Sequence, residues 1–99
     1  MTKVAVTGAT GFVGRFVSSY LESKGYQVFR FGRKSGENII HWNITSGIYT
    51  NDLGIDVVVH CAATVSDWAS YDESYAGNVL GTQNVVNSFP TAFSFIYIS

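Results

Sequence analysis

The stretch that most constrains the fold is the segment 4–14, in which three glycines follow a short apolar run. The apolar residues 4–6 predict a buried strand. Gly8, Gly11 and Gly14 follow at a constant spacing of three, and an amphipathic helical pattern comes next. A strand, a glycine turn and a helix in this order create a binding site for the phosphates of a nucleotide. Glycines at this spacing also occur in ordinary turns, but the flanking strand and helix favour the phosphate site.

Each glycine has its own expected role in that turn. Gly8 lets the chain turn sharply out of the strand, Gly11 lets a pyrophosphate approach the backbone, and Gly14 lets the helix pack closely on the sheet. Unpaired N–H groups of the first helical turn then face the phosphates, with the positive end of the helix dipole behind them. The predicted phosphate-binding residues are Gly8, Thr10, Gly11, Phe12, Val13 and Gly14.

The variant of the glycine spacing carries a family resemblance. The common dinucleotide fingerprint is Gly-x-Gly-x-x-Gly, whereas residues 7–14 read TGATGFVG. That variant resembles the short-chain dehydrogenase/reductase superfamily, and more closely its extended branch, the NAD(P)-dependent epimerase/dehydratase family. The resemblance covers about residues 3–99. It implies NAD(P) binding by a protein that transfers a hydride in reduction, dehydration or epimerisation, often on a nucleotide-sugar.

The remaining pattern alternates strands with helices and predicts a parallel α/β sheet of the Rossmann-like kind. Strands are predicted at 4–6, 26–31, 38–41, 57–63 and 93–99, and helices from residue 12 and over 71–88. Right-handed crossovers give the strand order 3-2-1-4-5, with the cofactor at the carboxyl ends of the strands. We expect residues 1–99 to form one incomplete NAD(P)-binding Rossmann domain, truncated after the fifth strand.

The two predicted helices and their neighbours have distinct patterns. The amphipathic pattern of the first helix comprises Phe12, Val13, Phe16, Val17, Tyr20 and Leu21. The expected buried side of the second helix comprises Tyr75, Val79, Leu80, Val85 and Val86. The second and third strands are joined by about half of the dozen residues that a parallel crossover normally needs, so no helix is expected there.

The residues after the second strand favour NADP over NAD. NAD sites place Asp or Glu at the end of this strand to hold the ribose 2′-hydroxyl, whereas NADP sites use Arg. Here Gly32 holds that position, Arg33 and Lys34 follow, and the next carboxylate is Glu37. Arg33 can bind a 2′-phosphate through two hydrogen bonds, and Lys34 adds positive charge. The alternative is a solvated basic turn that binds nothing.

The segment after the third strand resembles the Gly-Asp-Ile/Leu segment of the same family. There the Asp accepts the adenine amino group, and the apolar residue packs on the adenine ring. Here Asn43 replaces the Asp and Trp42 replaces the Gly, while Ile44 keeps the apolar position. Asn43 can still accept through its amide oxygen without the charge, and the alternative is an ordinary turn residue.

The fourth strand resembles the family's Asp-x-Val-x-His-x-Ala-Ala over residues 56–63. The resemblance implies that Cys61, Ala62 and Ala63 pass under the cofactor, where small side chains let the dinucleotide lie against the backbone. His60 and Cys61 invite a catalytic interpretation, but we interpret them as packing residues of a buried strand.

The second helix carries Asn-Val-x-Gly-Thr-x-Asn at residues 78–84, again as in the family. The resemblance implies that Asn78 supports the catalytic constellation and the cofactor loop. Gly81 is expected to allow a close approach of the helix to the sheet. Ser99 lies at the start of the family's Ser-rich catalytic segment, and we expect it to be adjacent to the catalytic residue.

The family's proton-transfer pair, Tyr-x-x-x-Lys, belongs to a helix after the fifth strand. The chain has this spacing at Tyr20 and Lys24 on the first helix, which we interpret as coincidental because Tyr20 points away from the nicotinamide end. We therefore expect no catalytic residue in this chain, apart from a supporting role for Asn78, and no activity of the chain alone. The rival functions are a redox-sensing module that binds NADP without turnover and a fragment that neither binds nor catalyses.

The composition limits the kinds of partner and site that we expect for this chain. A net charge of −1 without a basic run gives no reason to expect nucleic acid. Cys61 is the single cysteine and only two histidines occur, so neither an internal disulfide nor a metal site is expected. The sequence lacks a membrane-length apolar stretch and room for a signal peptide before the first strand, so we expect a cytoplasmic protein. Self-association is expected through the apolar fifth strand.

Overall fold

The computed structural model describes residues 1–34, 36–61 and 71–98, with the side chains of 71–78 excepted. The described residues form five strands and two helices: β1 (Lys3–Thr7), α1 (Phe12–Ser23), β2 (Gln27–Gly32), β3 (Ile39–His41), β4 (Val57–Cys61), α2 (Tyr71–Ser88) and β5 (Ser94–Ile98). All neighbouring strands are parallel, in the order β3-β2-β1-β4-β5. The predicted α/β fold and strand order are thereby confirmed.

The register places the carboxyl ends of the central strands side by side. Thr7, the last residue of β1, pairs with Phe31 in β2 and with His60 in β4. The glycine turn, the bend after β2 and the start of the β3–β4 connection therefore all leave from one edge of the sheet. Ligands of open parallel sheets bind at that edge.

The central strands β1 and β4 are buried on both faces, as their near-continuous apolar sequences require. Val4, Val6 and Val59 face α1, and they form a core with half-buried Val17 and Leu21 of that helix. The alternate residues of the same strands face α2 and form a second core; this core comprises Ala5, Phe31, Trp42, Ile55, Val58, Val85 and Phe89.

Four aromatic rings fill the second core between the sheet and the β3–β4 connection. The ring centroids of Phe31 lie 5.0 Å from Tyr49 and 5.6 Å from both Trp42 and Phe89. The indole N–H of Trp42 donates to the carbonyl oxygen of Gly47 at 3.0 Å, so the polar end of the ring is satisfied. Edge-on aromatic packing of this kind stabilises a core beyond the area that it buries. The connection lacks a described helix, and the aromatic cluster covers this part of the sheet instead.

The predicted buried side of α2 is largely wrong. Three apolar residues expected to be buried are exposed, at Val79 (40%), Leu80 (46%) and Val86 (51%). Among the side chains of α2 that the structure describes, the buried residues are Gly81, Val85 and Ser88, which recur at helical spacing. The helix therefore contacts the protein through small side chains, and Val85 is the one predicted residue that is confirmed. Tyr75 lies outside the described side chains.

The amphipathic pattern of α1 divides into an inner and an outer part. Gly14 and Ser18 are buried, and the Ser18 hydroxyl donates to the carbonyl oxygen of Gly14 at 2.7 Å. The aromatic residues Phe12 (84% exposed), Phe16 (70%) and Tyr20 (53%) lie on the outer side. Small residues again mark the true contact face, because they bring the helix backbone close to the sheet.

The element bounds agree with the sequence patterns to within one or two residues. β4 ends at Cys61 in the described part of the chain, and the predicted continuation to residue 63 lies outside it. β5 covers Ser94–Ile98, whereas the prediction began at Phe93 and ended at Ser99, which is also outside the described residues. Neither described helix is both long enough and apolar enough to cross a membrane.

Candidate functional site

The backbone of the glycine turn after β1 lies in close contact with the backbone of β4 and of α1. Gly8 has a φ of +66°, a left-handed conformation that favours glycine. A β-carbon on Gly8 would lie 2.4 Å from the carbonyl oxygen of Cys61, and one on Gly14 would lie 2.0 Å from the carbonyl oxygen of Gly8. Contacts this short leave no room for either side chain. The turn is therefore held between the end of β4 and the first turn of α1.

The start of α1 presents backbone N–H groups that have no partner among the described residues. Gly11 is the N-cap, and it makes no side-chain capping hydrogen bond. Among the described residues, a β-carbon on Gly11 would meet only the Gly8 carbonyl oxygen, at an ordinary 3.5 Å. No described residue fills the space outside Gly11, and the N–H groups of the first turn point at it. This open cradle at a helix N-terminus fits a pyrophosphate, so the residues present suit the phosphates of a dinucleotide.

Gly32, at the end of β2, packs directly on the glycine turn. A β-carbon there would lie 2.8 Å from Cγ2 of Thr10 and 3.2 Å from Cγ2 of Ile39. The position that holds a carboxylate in NAD sites is therefore closed to a side chain as the residues stand. Arg33 and Lys34 follow in an exposed bend, and the ion pair found among the described residues involves neither of them.

That ion pair joins α1 to β2. The guanidinium nitrogens Nη1 and Nη2 of Arg30 both donate to the carboxylate of Glu22. The hydrogen bond from Arg30 lowers the pKa of Glu22, and the reciprocal hydrogen bond raises that of Arg30. The pair lines a cleft of about 910 Å³ over β2 and β3, together with Thr10, Arg15 and Glu37. The carboxylate-bearing residue Glu37 therefore lines the same cleft as Thr10 of the glycine turn.

Asn43 closes a turn after β3. Its Oδ1 accepts from the N–H of Thr45 at 3.1 Å and from the Thr45 hydroxyl at 2.8 Å. Its carbonyl oxygen accepts from the Ser46 hydroxyl at 2.7 Å. The structure therefore gives Asn43 the turn role that was the alternative interpretation. A contact with adenine stays a prediction.

α2 fixes the position of Ile44, the residue after Asn43. Nδ2 of Asn84 donates to the carbonyl oxygen of Ile44 at 2.7 Å. A β-carbon on Gly81 would lie 2.8 Å from Cδ1 of Ile44, so the absence of a side chain at Gly81 makes room for Ile44. The close approach expected at Gly81 is therefore to this loop rather than to a strand. Two consecutive turns of α2 fix the loop where the adenine ring is predicted to bind.

His60 lies near the carboxyl end of β4, beside the glycine turn. It is 3% exposed, and both of its ring nitrogens lie near hydroxyl groups. Nδ1 is 2.5 Å from the Thr7 hydroxyl oxygen, and Nε2 is 3.3 Å from that of Thr82. Burial lowers the pKa of His60, which favours the neutral ring. Burial also raises the pKa of the Cys61 thiol, which disfavours the reactive thiolate. Both residues are buried, as the packing interpretation requires, but His60 also bridges two elements.

Several predicted site residues lie outside the described part. They are Ala62, Ala63, the side chain of Asn78 and Ser99. Tyr20 is described and lies on the outer side of α1, with Nζ of Lys24 5.5 Å from the centre of its ring. The described residues contain no group of three or more His, Cys, Asp or Glu side chains that could hold a metal ion.

The contacts of Thr82 with His60 and of Asn84 with Ile44 are not predicted from the sequence. Both residues belong to the motif 78–84, in which the prediction assigns roles only to Asn78 and Gly81. The missed signal was the helical spacing of Gly81, Asn84 and Val85, which places all three on the side that the structure buries or half-buries.

Comparison with known proteins agrees with this geometry. The model of the NAD dependent epimerase/dehydratase family matches residues 4–99. The 2-alkyl-3-oxoalkanoate reductase of Stenotrophomonas maltophilia is 33% identical over 85% of this chain and 28% of its own length. The structure of UDP-N-acetylglucosamine 4-epimerase from Bacillus cereus superposes with a TM-score of 0.77 at 27% identity, covering 98% of this chain and 36% of the epimerase.

A third comparison concerns the cofactor. A short-chain dehydrogenase/reductase superfamily protein from Agrobacterium tumefaciens, solved with bound NAD, superposes with a TM-score of 0.67 at 25% identity. The match covers 96% of this chain and 31% of that protein. The chain thus spans about a third of the length of the proteins that it matches.

Proposed function

This chain belongs to the NAD dependent epimerase/dehydratase family, and from that premise we propose that it binds a nicotinamide dinucleotide at the glycine turn and prefers NADP over NAD. The observation that carries the proposal is the backbone contact of Gly8 with Gly14, beside the open N-terminus of α1. This turn has no room for side chains on its inner side, and its backbone N–H groups face outward. Such an arrangement suits a pyrophosphate.

The chain's own residues bind and orient the cofactor. The N–H groups of Phe12 and Val13 would donate to the pyrophosphate, and Ile44 would pack against the adenine ring from a loop fixed by α2. Cys61 lies beside Gly8, and its small side chain would let the dinucleotide lie against the backbone. When bound, the nicotinamide supplies the hydride acceptor or donor of the reaction.

The preference for NADP rests on the end of β2. Gly32 packs on Thr10 and offers no carboxylate to a ribose 2′-hydroxyl. Arg33 and Lys34 are exposed immediately after it, and a guanidinium binds a phosphate through paired, charge-assisted hydrogen bonds. Glu37, which lines the neighbouring cleft, opposes this preference by its charge.

The whole protein is proposed to act by hydride transfer on a nucleotide-sugar or on a related carbonyl or alcohol. The support is the family itself, together with a reductase and a sugar-nucleotide epimerase among the similar proteins. The test is nicotinamide absorbance in mixtures of the whole protein with nucleotide-sugars and, separately, with 3-oxoacids. Turnover of one class and not the other assigns the substrate.

Cofactor binding is tested by calorimetry on the 99-residue chain with NADP and NAD in parallel. We expect Arg33→Ala to weaken NADP roughly tenfold to a hundredfold, as the loss of charge-assisted hydrogen bonds implies, and to leave NAD unchanged. Lys24→Ala is the matched control, because it removes an exposed charge at the far end of α1. Tighter binding of NAD, or an NADP preference that survives Arg33→Ala, would contradict the assignment.

A further inference from the structure

We propose that His60 is a positioning residue, whose neutral ring joins the glycine turn to α2 through the hydroxyl groups of Thr7 and Thr82. The proposal rests on the proposed cofactor site for its functional meaning, because the turn that His60 holds is the one assigned to the phosphates. It assigns no catalytic step to His60.

The geometry makes His60 a bridge between three elements. The ring belongs to β4, Thr7 is the last residue of β1, and Thr82 lies on α2. Its nitrogens lie 2.5 Å and 3.3 Å from the two hydroxyl oxygens, and the ring is 3% exposed. A neutral imidazole has one donor and one acceptor, and each threonine hydroxyl can supply the complement. Either tautomer therefore satisfies both contacts.

Each end of the bridge leads directly to a part of the candidate site. Thr7 is followed by Gly8, whose backbone contacts Cys61 and Gly14. Thr82 is preceded by Gly81, which makes room for Ile44 in the loop after β3. Through His60, the turn assigned to the phosphates and the loop assigned to adenine are held at a fixed separation.

The surroundings of the ring favour the neutral form. The described groups that face it are the two threonines, the Phe95 ring at 6.2 Å and the titratable Tyr97 ring at 5.3 Å. Burial lowers the pKa of His60, with no charged group contributing among the described residues. Protonation would turn both nitrogens into donors, so one hydroxyl would have to abandon its own donated hydrogen bond. Acid is therefore expected to loosen the bridge.

The test is nuclear magnetic resonance of the ¹⁵N-labelled 99-residue chain without cofactor, titrated from about pH 8 to pH 5 across the ordinary histidine range. We expect the amide signals of Gly8 and Thr82 to shift together with the His60 ring, at a midpoint below 6.5. Thr7→Val keeps the shape of the side chain and removes its hydroxyl. It should abolish the linked shift of Gly8 and leave that of Thr82.

Two control variants isolate the bridge. His41→Gln leaves His60 as the single histidine and should preserve both linked shifts. Thr91→Val removes a comparable hydrogen bond, from the Thr91 hydroxyl to the carbonyl oxygen of Ile55 at 2.8 Å, near the opposite end of β4. It should lower stability without changing the linked shifts. A Gly8 shift that survives Thr7→Val, or amides that all move together as the chain unfolds, would overturn the proposal.

Calorimetry with NADP at pH 7 supplies the functional readout. Thr7→Val and Thr82→Val should each weaken binding severalfold, and the double variant should lose less than the product of the two, because both act on one bridge. Thr91→Val should bind as the unsubstituted chain does. If the unsubstituted chain does not bind NADP, the proposed function fails, while the linked shifts still decide whether His60 joins the turn to α2.

Discussion

A β-carbon on Gly14 would lie 2.0 Å from the carbonyl oxygen of Gly8, so α1 begins in direct backbone contact with the turn that precedes it. Gly8 has little room to move away from α1, because it also lies close to the carbonyl oxygen of Cys61. The contact links the stability of the fold to the shape of the candidate phosphate site, and the two can be separated by substitution.

Gly14→Ala should destabilise the chain by about 2–3 kcal/mol, because backbone must shift to admit the methyl group. Urea denaturation followed by circular dichroism measures the change in the free energy of unfolding. Gly36→Ala is the matched control, since its β-carbon would meet, within the described part of the chain, only Cγ1 of Ile39 at 3.6 Å. Equal stabilities of the two variants would show that the turn yields more readily than its geometry indicates.

Gly11→Ala should have the opposite signature. The new methyl group has room among the described residues, and because Ala is a weaker N-cap than Gly, stability should fall by about 0.5–1 kcal/mol, less than for Gly14→Ala. The same methyl group would occupy the space where the pyrophosphate approaches, so NADP affinity should fall roughly tenfold or more. Calorimetry and denaturation on the same preparation measure both effects. Unchanged affinity would place the phosphates elsewhere.

Gly32→Asp should not by itself convert the chain to NAD binding. The β-carbon of Asp would lie 2.8 Å from Cγ2 of Thr10, and displacing that methyl group should cost about 1–2 kcal/mol. Adding Thr10→Ser removes the methyl group and should restore the lost stability. Only in the double variant should the new carboxylate favour NAD over NADP. Full stability of the single variant would contradict this coupling.

The stability of the chain should depend on pH through His60. Burial lowers the pKa of His60 below the value of 6.5 expected in the unfolded chain. The unfolded state therefore binds the proton more readily, and the free energy of unfolding should fall as the pH drops through about 6.5 towards the folded pKa. Denaturation at a series of pH values should show this slope in His41→Gln and not in His60→Leu. A slope that persists in His60→Leu would assign it to other groups.

The fifth strand should make the 99-residue chain self-associate. β5 pairs with β4 on one side and forms the edge of the described sheet, and Ile96 and Tyr97 are each 47% exposed. An exposed apolar edge tends to recruit another strand. Ile96→Lys should reduce light scattering at high concentration, whereas Val86→Lys, on the exposed side of α2, should not. A monomer at all concentrations would show that this edge does not associate.

Local sequence patterns were sufficient for the strand order and for the glycine turn. Both depend on residues that are adjacent in the chain, such as Gly8 and Gly14, and on the alternation of elements. The role of Trp42 could not be predicted in this way, because its partners Phe31 and Phe89 belong to distant parts of the chain. A tryptophan in place of a glycine looked like a departure from the site, and it is a core residue.

The buried side of α2 was missed for a related reason. Apolar residues occur around most of that helix, so their spacing alone does not select a face. The face is selected by fit, since Gly81 accommodates Ile44 and Asn84 binds its carbonyl oxygen. For Asn43, the structure shows a turn in which Oδ1 accepts from Thr45, while the contact with adenine stays a prediction. Shape and hydrogen-bond partners, rather than hydrophobicity, select the buried face of α2.

The contact between Gly81 and Ile44 has an evolutionary consequence. Because a β-carbon at position 81 would occupy space filled by the Ile44 side chain, a gain of volume at one position must be balanced by a loss at the other. Among homologues, the two positions should therefore vary as a correlated pair, with glycine at 81 wherever a branched residue stands at 44. The carbonyl oxygen that Asn84 binds is backbone, so Asn84 is free of that correlation and should be retained whichever pair is present.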